Sequence, residues 1–594
     1  MRASILLAVT VLALAICIRP ANSGENTGMI YYLNADGDDA RSGHSPEEAW
    51  RTIAPLNALG RLGPGDTVRL RGGNSFVGGL QLVAVGSDKA PCVIESYGKG
   101  KAKLTTPGKV PVIKLSDSEH VVLRNIVVEG RPGKGTYPSA TFEVLDRSLG
   151  TWVGSDRRAG KKLGRVQVTG MEYRYVYHAI CFQVLNNAAD GWDDVTISGC
   201  VIEEVPHAGL FMSGPDFFGT NDRLDLFTNV RIADNVFRHI YGDPSGNSEA
   251  VPLGIANATG VVIERNLFAD NCGFGGCGPK GSHDKGGSAA VQTFSMRRFV
   301  MRHNEAFGTR SCTPYDACAL DCDNNTQDGE VCFNLTYRNK GPGIQLGSVA
   351  PGSLVKDVAI HHNISIDDAR GAQPGSIQGA FRLWGLNDSI QVFNNTICVR
   401  GGPGHEVIGK PSAISFARVR GTNTHILVMN NILKTSGGIP MIRVNAAGEY
   451  EVDHIDASCR FFGNVYDSSG GPLAISNDDT RGAYRAISTL KEWRACGQES
   501  DGETDLGRTD DAGLPGLAEF NPPAGGYLAQ GLTVGTCCAL DPVVRADQNR
   551  DQCVMPWRFV TCGNPTKRDF HGADASDARV VGAVARPGAD SRSR

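Results

Sequence analysis

The sequence lacks a long basic run and has a single extended apolar run, and each absence removes a class of function. Charged residues make up 21% of the 594 residues and the formal net charge is −4, so the composition does not favour binding to a nucleic-acid backbone. The apolar run from Ile5 to Ile18 is shorter than the roughly 20 residues of a transmembrane helix. We therefore expect neither a nucleic-acid partner nor a membrane span.

The N-terminal segment is typical of a secretory signal peptide. A single Arg, the apolar run and the small-residue site Ala21-Asn22-Ser23 follow one another in the expected order. We assign residues 1–23 to this signal, which predicts an extracellular or periplasmic protein. Cys17 would suit a lipid anchor instead, but Ile16 stands where lipid-modification sites usually have a small residue.

The sequence also lacks a pair of CxxC motifs, which disfavours a zinc site. Of the 17 cysteines, 16 remain after the signal peptide, an even number in a chain expected to reach an oxidising compartment. We predict disulfides between Cys272 and Cys277 and between Cys312 and Cys318. Further pairing is expected among Cys322, Cys332, Cys537, Cys538, Cys553 and Cys562, with no fixed connectivity.

A recurring asparagine is the main positive signal. It lies between two short runs of alternating apolar residues at Asn125, Asn235, Asn266, Asn304, Asn334, Asn363, Asn395, Asn431 and Asn464. Cys200 takes this position once, and from there the separations are 35, 31, 38, 30, 29, 32, 36 and 33 residues. Repeats of this length built only from β segments indicate a parallel β-helix. Asparagine tolerates the left-handed backbone of a sharp bend, and stacked amides can bond from coil to coil.

The stretch from Ser311 to Gly347 illustrates one coil. Its ACALDCD segment alternates with period two, as a strand does. The predicted inward positions are Cys318, Leu320 and Cys322. The predicted outward positions are Ala319, Asp321 and Asp323. We interpret VCFNLTYRN and GIQLG as the second and third strands of the same coil.

Both ends of the chain differ from the repeats. Ser45-Pro46-Glu47-Glu48 supplies an N-cap residue, a proline and early acidic residues, which predicts an amphipathic helix capping the solenoid. A second short helix is predicted over Ala483 to Cys496. We divide the mature chain into an N-terminal cap with the first coils (24–110), the β-helix repeats (111–470), and C-terminal coils, loops and cap (471–594).

Two segments carry a resemblance to a known family. YYLNADGDDARSGHSPEEAWRTI with PGDTVRLRGG, and DACALDCDNN with GIQLG, resemble the secreted right-handed parallel β-helix proteins of the pectate-lyase-like superfamily. The resemblance covers roughly residues 30–585. It implies an all-β, right-handed parallel β-helix, but the superfamily includes lyases, hydrolases, epimerases and non-catalytic adhesins.

No single reaction is implied, because the catalytic signatures of characterised members are absent. The chain lacks Gly-His-Gly and Arg-Ile-Lys of polygalacturonase-like hydrolases, Asp-Pro-His-Asp of alginate epimerases and Trp-Ile-Asp-His of pectate lyases. The reaction must therefore be inferred from the residues themselves.

Aligning the strands by their inward apolar pairs places polar side chains along one outward face. These outward positions are Phe211, Gln292, Asp321, Asp323, Gln345, Arg382, Trp384, Ser415 and Arg443. Coils of a β-helix lie about 4.8 Å apart, so Gln292, Gln345, Arg382 and Trp384 are predicted to bind substrate beside the aspartates. The Trp384 ring offers an apolar surface for a sugar face, although packing beneath a loop explains it equally well.

Asp321 and Asp323 are the main catalytic candidates. Two neighbouring carboxylates could cleave a glycosidic bond as acid and base, or bind a calcium ion that neutralises an acidic sugar. A solvated pair bridged to Arg310 or Arg382 is the alternative. Lys285 and His283, with Arg310, could instead supply the base and the cation that β-elimination from a uronate requires.

These observations favour a secreted, monomeric protein that cleaves an acidic polysaccharide by β-elimination or hydrolysis, with calcium as the candidate cofactor. The alternative is a non-catalytic glycan-binding or cell-surface β-helix protein.

Overall fold

A computed structural model provides the structure of the chain. It describes residues 28–106, 108, 110–134, 147–215, 223–243, 250–273, 288–311, 316–348, 350–371, 377–418, 423–446, 458–478, 484–499, 507, 509 and 525–526. The predicted signal peptide, His283, Lys285 and the predicted C-terminal cap lie outside the described residues.

The described residues of the first third of the chain form thirteen short strands and one helix. The helix α1 spans Ala54–Leu59, after β1. The strands are β1 Ile30–Leu33, β2 Arg61–Leu62, β3 Thr67–Arg71, β4 Ser75–Val77, β5 Leu80–Ala84, β6 Cys92–Tyr97, β7 Ala102–Thr105, β8 Ile113–Ser116, β9 Val121–Arg124, β10 Ile126–Glu129, β11 Leu149–Ser155, β12 Val166–Thr169 and β13 Glu172–Arg174.

The central coils contain two strands that are much longer than the rest. The strands are β14 His178–Val184, β15 Trp192–Ser198, β16 Val201–Val205, β17 Ala208–Ser213, β18 Phe227–Ala233, β19 Val236–Ile240, β20 Val251–Glu264, β21 Leu267–Ala269, β22 Ala289–Arg302, β23 Glu305–Phe307, β24 Cys318–Cys322, β25 Gln327–Cys332 and β26 Leu335–Tyr337. The first half of β20 pairs with β17 and its second half pairs with β18. In the same way, the first half of β22 pairs with β24 and its second half pairs with β25.

The last coils end in a second helix, α2, at Leu490–Ala495. The strands are β27 Ile344–Ser348, β28 Val355–His361, β29 Ile364–Ile366, β30 Ile377–Gly385, β31 Asn387–Phe393, β32 Thr396–Val399, β33 Lys410–Arg418, β34 Asn423–Met429, β35 Ile432–Thr435, β36 Ile442–Ala446, β37 Arg460–Phe462, β38 Val465–Ser468, β39 Ala474–Asp478 and β40 Tyr484–Ile487.

Strand pairing in the described residues is that of a parallel β-helix. Strands β24, β25 and β26 pair in parallel with β27, β28 and β29, respectively, so the chain returns to the same face every third strand. The strands form one 27-stranded and one 13-stranded sheet. We call the part of the larger sheet that contains β17, β24, β27, β30, β33 and β36, with the first halves of β20 and β22, the first face.

The coil boundary predicted around Asn334 is corrected by these pairings. Val331 and Cys332 end β25, Phe333 lies in the bend and LTY forms β26, so the two halves of VCFNLTYRN lie on different faces. The segment IQLGS forms β27, which pairs with β24 and therefore opens the next coil. Three strands per coil is confirmed, and the third strand of this coil is β26.

The recurring asparagines form a continuous hydrogen-bonded ladder. From Asn235 to Asn464 each Nδ2 donates to Oδ1 of the next ladder asparagine at 2.9–3.0 Å. Each Oδ1 also accepts a backbone N–H of the preceding coil, as Asn334 does for Asn304. The predicted role of the amides is thus confirmed, and Glu499 ends the ladder by accepting from Asn464 at 2.7 Å.

The left-handed backbone lies one residue before the ladder asparagines. His303 and Phe333, which precede Asn304 and Asn334, have φ of 55° and 56°. Asn125 has φ of 58° and an exposed side chain, so it occupies the bend position and is not a ladder member. The prediction that the ladder asparagines adopt the left-handed backbone conformation was therefore wrong. The asparagine side chains stabilise the turn by hydrogen bonds, and the preceding residue adopts the left-handed conformation.

The two helices differ from their predictions. Helix α1 begins at Ala54 rather than after Ser45, and Trp50 forms an isolated bridge to Leu33. Helix α2 begins after the N-cap Thr489, whose side chain and Glu492 form a reciprocal capping box. Part of the segment predicted as helix is strand β40. The capping role of the N-terminal helix and the right-handed winding stay predictions.

The described cysteines form no disulfide with one another. Cys272, Cys318 and Cys322 are buried free thiols, and the proposed partners Cys277 and Cys312 and the four C-terminal cysteines lie outside the described residues. The disulfide prediction is therefore not confirmed. Among the described residues, no helix has the length and apolar character required to span a bilayer.

Removing one ladder amide should destabilise the coils. The Asn334→Ala change deletes the bonds to Met301 O and Asn363 Oδ1 and removes the acceptor of Asn304. Because these groups are buried, we expect the free energy of unfolding to fall by about 3 kcal/mol. Urea denaturation measures this, with Asn125→Gly as the matched control outside the ladder. Equal losses in both variants would contradict the ladder's role.

Candidate active site on the first face

The register of the first face brings the predicted outward residues into one row. Gln292 pairs with Asp321, Asp321 with Gln345 and Gln345 with Arg382. The row continues through Ser415 and Arg443. The alignment by inward apolar pairs is therefore confirmed, since Leu320, Ile344 and Phe381 face the core in the adjacent row.

These outward side chains are buried, in contrast to the solvated pair considered from the sequence. Asp321 and Gln345 have no exposed surface, while Asp323 retains 8%. Arg382 retains 6% and Trp384 is half-buried. A buried carboxylate must be protonated, paired or hydrogen-bonded, so the partners of each group decide its chemistry.

A third carboxylate, Asp316, belongs to the same cluster. It lies two residues before β24 and retains 8% of its surface. The Nε2 atom of Gln345 lies 3.2 Å from Asp316 Oδ1 and 3.2 Å from each Asp321 oxygen. Gln345 Oε1 accepts from Arg382 Nη1 at 3.2 Å. Gln345 therefore holds two carboxylates and a guanidinium together, and its amide contacts protein groups rather than a substrate.

The start of β24 departs from strict alternation. Ala319 and Leu320 both donate to the next coil, to Pro342 O and Gly343 O, a pattern typical of a β-bulge. Ala319 consequently joins the hydrophobic core. The Cys318 thiol lies with the Asp316 and Asp321 oxygens, all within 4.8 Å of one another. The predicted inward position of Cys318 and outward position of Ala319 were therefore wrong.

The three aspartates have raised pKa values for a common reason. Burial raises the pKa of Asp321 well above its usual range, and the charges of Asp323 and Asp316 raise it further. Burial and the charge of Asp316 likewise raise the pKa of Asp323 well above its usual range. Burial also raises the pKa of Asp316, against the opposing effect of Arg382 and the Gln345 hydrogen bond. Because a single guanidinium faces three carboxyl groups, ionisation of all three aspartates at once is unfavourable.

Asp323 packs against a glycine of the next coil. Its carboxyl group accepts from Gln292, and the buried Oδ1 atom has no hydrogen-bond partner within the described chain. A Cβ atom at Gly347 would lie 2.6 Å from that Oδ1 and 3.2 Å from Trp384 Cε3. The Arg382 guanidinium lies over the Trp384 ring, 4.8 Å from its centroid. The lack of a side chain at Gly347 thus lets the carboxyl group lie against the backbone beside an aromatic ring.

The oxygen and sulfur atoms of the cluster differ from the ligands expected of the predicted calcium site at Asp321 and Asp323. The atoms grouped closely enough to share an ion belong to Asp316, Cys318 and Asp321. Calcium takes 6–8 oxygen ligands, whereas this group includes a thiol and lies beside the Arg382 charge. The Asp321 oxygens already face the Gln345 amide. These residues fit a hydrogen-bonded acid cluster better than an all-oxygen cage, and calcium binding stays a prediction.

Arg310 is the one remaining predicted catalytic residue that lies within the described residues. Arg310 is exposed and its charge acts on Lys340; it is not among the charges that shift the pKa of the three aspartates. Lys285 and His283 lie outside the described residues. The roles proposed for these two residues in β-elimination stay predictions.

Sequence reasoning missed Asp316. The residue lies in a turn, where it and Ala317 have φ of 58° and 62°, so it does not share the strand period. Gln378 Nε2 donates to its backbone oxygen at 3.2 Å, which ties the turn to β30. The available signal was a carboxyl residue two positions before strand β24, which carries Asp321 and is directly followed by Asp323.

The chain is similar in sequence to a known protein, although no family model matches it. It is 31% identical over 528 residues to a lacto-N-biosidase of Bifidobacterium longum subsp. longum. The match covers 75% of this chain, which spans only 30% of the length of that curated relative.

The structure of the chain also resembles solved structures of other proteins. A GH136 lacto-N-biosidase from Eubacterium ramulus matches with 17% identity and a TM-score of 0.49, covering 66% of this chain and 68% of that one. The A-module of a mannuronan C-5 epimerase from Azotobacter vinelandii matches with 13% identity and a TM-score of 0.37, covering 72% and 94%. The assignment of a parallel β-helix depends on the strand pairings of this chain itself.

The raised carboxyl pKa values predict a specific pH dependence of stability. An unfolded aspartate ionises near about pH 4, whereas Asp321 in the folded chain resists ionisation. Its protonated form favours the folded state, and this stability is lost as pH rises through the raised pKa. Asp321→Asn should therefore unfold at higher temperature than wild type at neutral pH, with the difference vanishing near about pH 4.

Thermal unfolding across that pH range checks this expectation. Asp328→Asn is the matched control, because Asp328 is an exposed residue. A constant difference between Asp321→Asn and wild type at all pH values would show that Asp321 titrates normally.

Proposed function

We propose that the chain is a glycoside hydrolase whose two reacting carboxyl groups are Asp316 and Asp323. The observation that carries the proposal is a cluster of three buried carboxyl groups beside a single guanidinium, with different environments for each acid. Glycosidases need one protonated and one ionised carboxyl group at the same site. Similarity to a protein named lacto-N-biosidase supports the same reaction class.

Asp323 is suited to donate the proton. Its pKa is raised well above its usual range by burial and by the charge of Asp316, so it retains a proton to higher pH than a free aspartate. Asp323 also retains 8% of its surface, although its unpartnered Oδ1 atom is itself buried. A general acid requires a retained proton within reach of the leaving group, and Asp323, unlike Asp321, keeps some exposed surface.

Asp316 is suited to act as the ionised partner, as nucleophile or base. Burial raises its pKa, but Arg382 and the Gln345 amide oppose this rise by favouring the charged form. Asp321 has no exposed surface, whereas Asp316 retains 8%. We therefore propose that Asp321 and Gln345 position their neighbours, a role that differs from the acid or base predicted for Asp321 from the sequence.

Arg382, Trp384 and Gln292 keep the substrate-binding roles predicted for them. Arg382 and Gln292 lie in the row that contains the acid cluster, and Trp384 lies beside Gly347 and the Asp323 carboxyl group. An aromatic ring beside a carboxyl acid is a common arrangement for stacking on a sugar face. Gln292 in addition holds Asp323 by a hydrogen bond.

Several finer statements belong to the same proposal and were inferred from the sequence. We propose that the glycan is acidic and that the protein is secreted and monomeric. Cleavage by β-elimination, with calcium as cofactor, is the alternative reaction. Glycan binding without cleavage is the alternative function.

A panel of glycans discriminates these alternatives. The purified protein is incubated with lacto-N-biosides and with neutral and acidic polysaccharides, with calcium or with chelator. We expect new reducing ends without the ultraviolet absorbance of an unsaturated sugar. That absorbance would indicate β-elimination. Binding without any product would support the non-catalytic alternative and contradict the proposed function.

Substitution of the two proposed catalytic residues should abolish turnover while the fold remains intact. For Asp323→Asn and Asp316→Asn we expect kcat to fall by about 10²–10⁴-fold, because each loses a proton-transfer or nucleophilic group. Asp321→Asn should lose less, because it only positions its neighbours. Reducing-end assays on the cleaved glycan measure the effect, with Asp328→Asn as control. Full activity of Asp323→Asn would refute its assignment as the acid.

A side chain at Gly347 provides an independent test of the proposed acid. A Cβ atom there would lie 2.6 Å from Asp323 Oδ1, so Gly347→Ala must displace the carboxyl group, and Gly347→Ser adds a further atom. We expect kcat/KM to fall in the order Gly, Ala, Ser, by at least about tenfold at the first step. Steady-state kinetics and thermal unfolding are measured together. Unchanged kinetics in both variants would contradict the assignment of Asp323 as the acid.

A further inference from the structure

A second charged site lies outside the carboxyl cluster. A cavity of about 300 Å³ lies where three successive coils turn from the 13-stranded sheet back toward the first face. Its cationic lining residues are Arg338, Lys340, Arg370 and Arg400. Its acidic lining residues are Asp367 and Glu406. We call this the basic cavity.

Both acidic groups are already engaged by the protein. Asp367 binds Arg400, with Arg400 Nε at 3.0 and 3.2 Å from its two oxygens, and also accepts the Arg400 backbone N–H. Glu406 accepts the backbone N–H of Gly404 at 3.1 Å. Arg370 donates to Arg400 O at 2.8 Å and lies 3.9 Å from Asp367. Four cationic residues therefore line the cavity with two acidic ones, which leaves an excess of two positive charges.

Lys340 and Arg338 have no hydrogen-bond acceptor for their side chains among the described residues. Arg338 is exposed, while Lys340 is half-buried. Burial lowers the pKa of Lys340, and the charges of Arg310 and Arg370 lower it further. Like charges held together at a partly buried site are unfavourable unless an anion joins them. The described lining of the basic cavity thus carries positive charge that its own acidic residues do not balance.

The basic cavity lies at the same sheet edge as Asp316, one coil further along. Gly341 follows Lys340 and donates to Ala317 O at 3.1 Å, directly after Asp316. Lys340 O accepts from Gly371 at 2.7 Å, which ties the same turn to the coil of β30. A chain of sugars bound along this edge would reach both places.

We propose that the basic cavity is a subsite for an anionic group with several oxygens, such as a carboxylate, sulfate or phosphate, carried by the glycan substrate. This inference rests on the proposed hydrolase function, and it places the acidic substituent away from the carboxyl cluster. Guanidinium and ammonium groups bind such oxygens by charge-assisted hydrogen bonds. The cavity volume equals that of roughly ten waters, which is more than a bare anion requires and leaves room for part of a sugar ring.

The first test is binding of inorganic sulfate to the full chain. Thermal unfolding is followed with sulfate and with chloride at equal ionic strength for wild type, Lys340→Gln with Arg338→Gln, and Lys356→Gln. Lys356 is the control, because it is a half-buried lysine on β28 that does not line the cavity. We expect sulfate to raise the unfolding temperature of wild type and of Lys356→Gln but not of the double variant. Equal sulfate effects in all three proteins would overturn the proposal.

The second test separates a glycan substituent from a free anion. Matched glycans with and without a sulfate or carboxylate group are compared as substrates, and we expect kcat/KM to favour the anionic one by at least about tenfold. The preference should disappear in Lys340→Gln with Arg338→Gln. Sulfate binding without any such preference would show a site for free anions and overturn the assignment to the substrate. Absence of all cleavage with intact sulfate binding would refute the hydrolase function while leaving the anion site.

Discussion

Stacked asparagine amides fix the register on which every other feature depends. Each amide in the ladder bonds to the asparagine above, to a backbone carbonyl below and to a backbone N–H. These bonds are buried, so a coil shifted by one residue would leave polar groups unpaired. Because the turn between the second and third strands is thereby fixed, the strands of the first face are held in a constant register. That register is what aligns Gln292, Asp321, Gln345 and Arg382.

The same regularity makes the carboxyl cluster possible. A repeating strand can place one polar residue per coil in a row, but like charges in neighbouring coils repel. Here the row alternates amide, acid, amide and guanidinium, so within the row Gln345 separates Asp321 from Arg382. The bulge at the start of β24 then brings Asp316 and Cys318 to the cluster from the turn. The proposed base, Asp316, thus comes from an irregularity added to a regular frame, whereas the proposed acid, Asp323, directly follows the strand.

Much of the fold could be predicted from the sequence, because its physical cause is periodic. The asparagine spacing predicted the coils, and the inward apolar pairs predicted the register of the first face. The position of the third strand after Asn334 was assigned to the wrong coil, since alternation does not mark where one face ends and the next begins. Asp316 and the reversal at Cys318 and Ala319 were missed because a bulge and a turn have no period. Polarity suggested solvated aspartates, whereas the structure buries them.

The most direct test of the proposed active site is the ionisation of its two carboxyl groups. Carbon NMR of the full chain labelled at aspartate carboxyl carbons, titrated with pH and assigned with Asp316→Asn and Asp323→Asn, measures both pKa values. The proposed roles require Asp323 to titrate well above the usual range of aspartate and Asp316 to titrate below Asp323. Two carboxyl groups that both titrate near about pH 4, as exposed aspartates do, would contradict the assignment of acid and base.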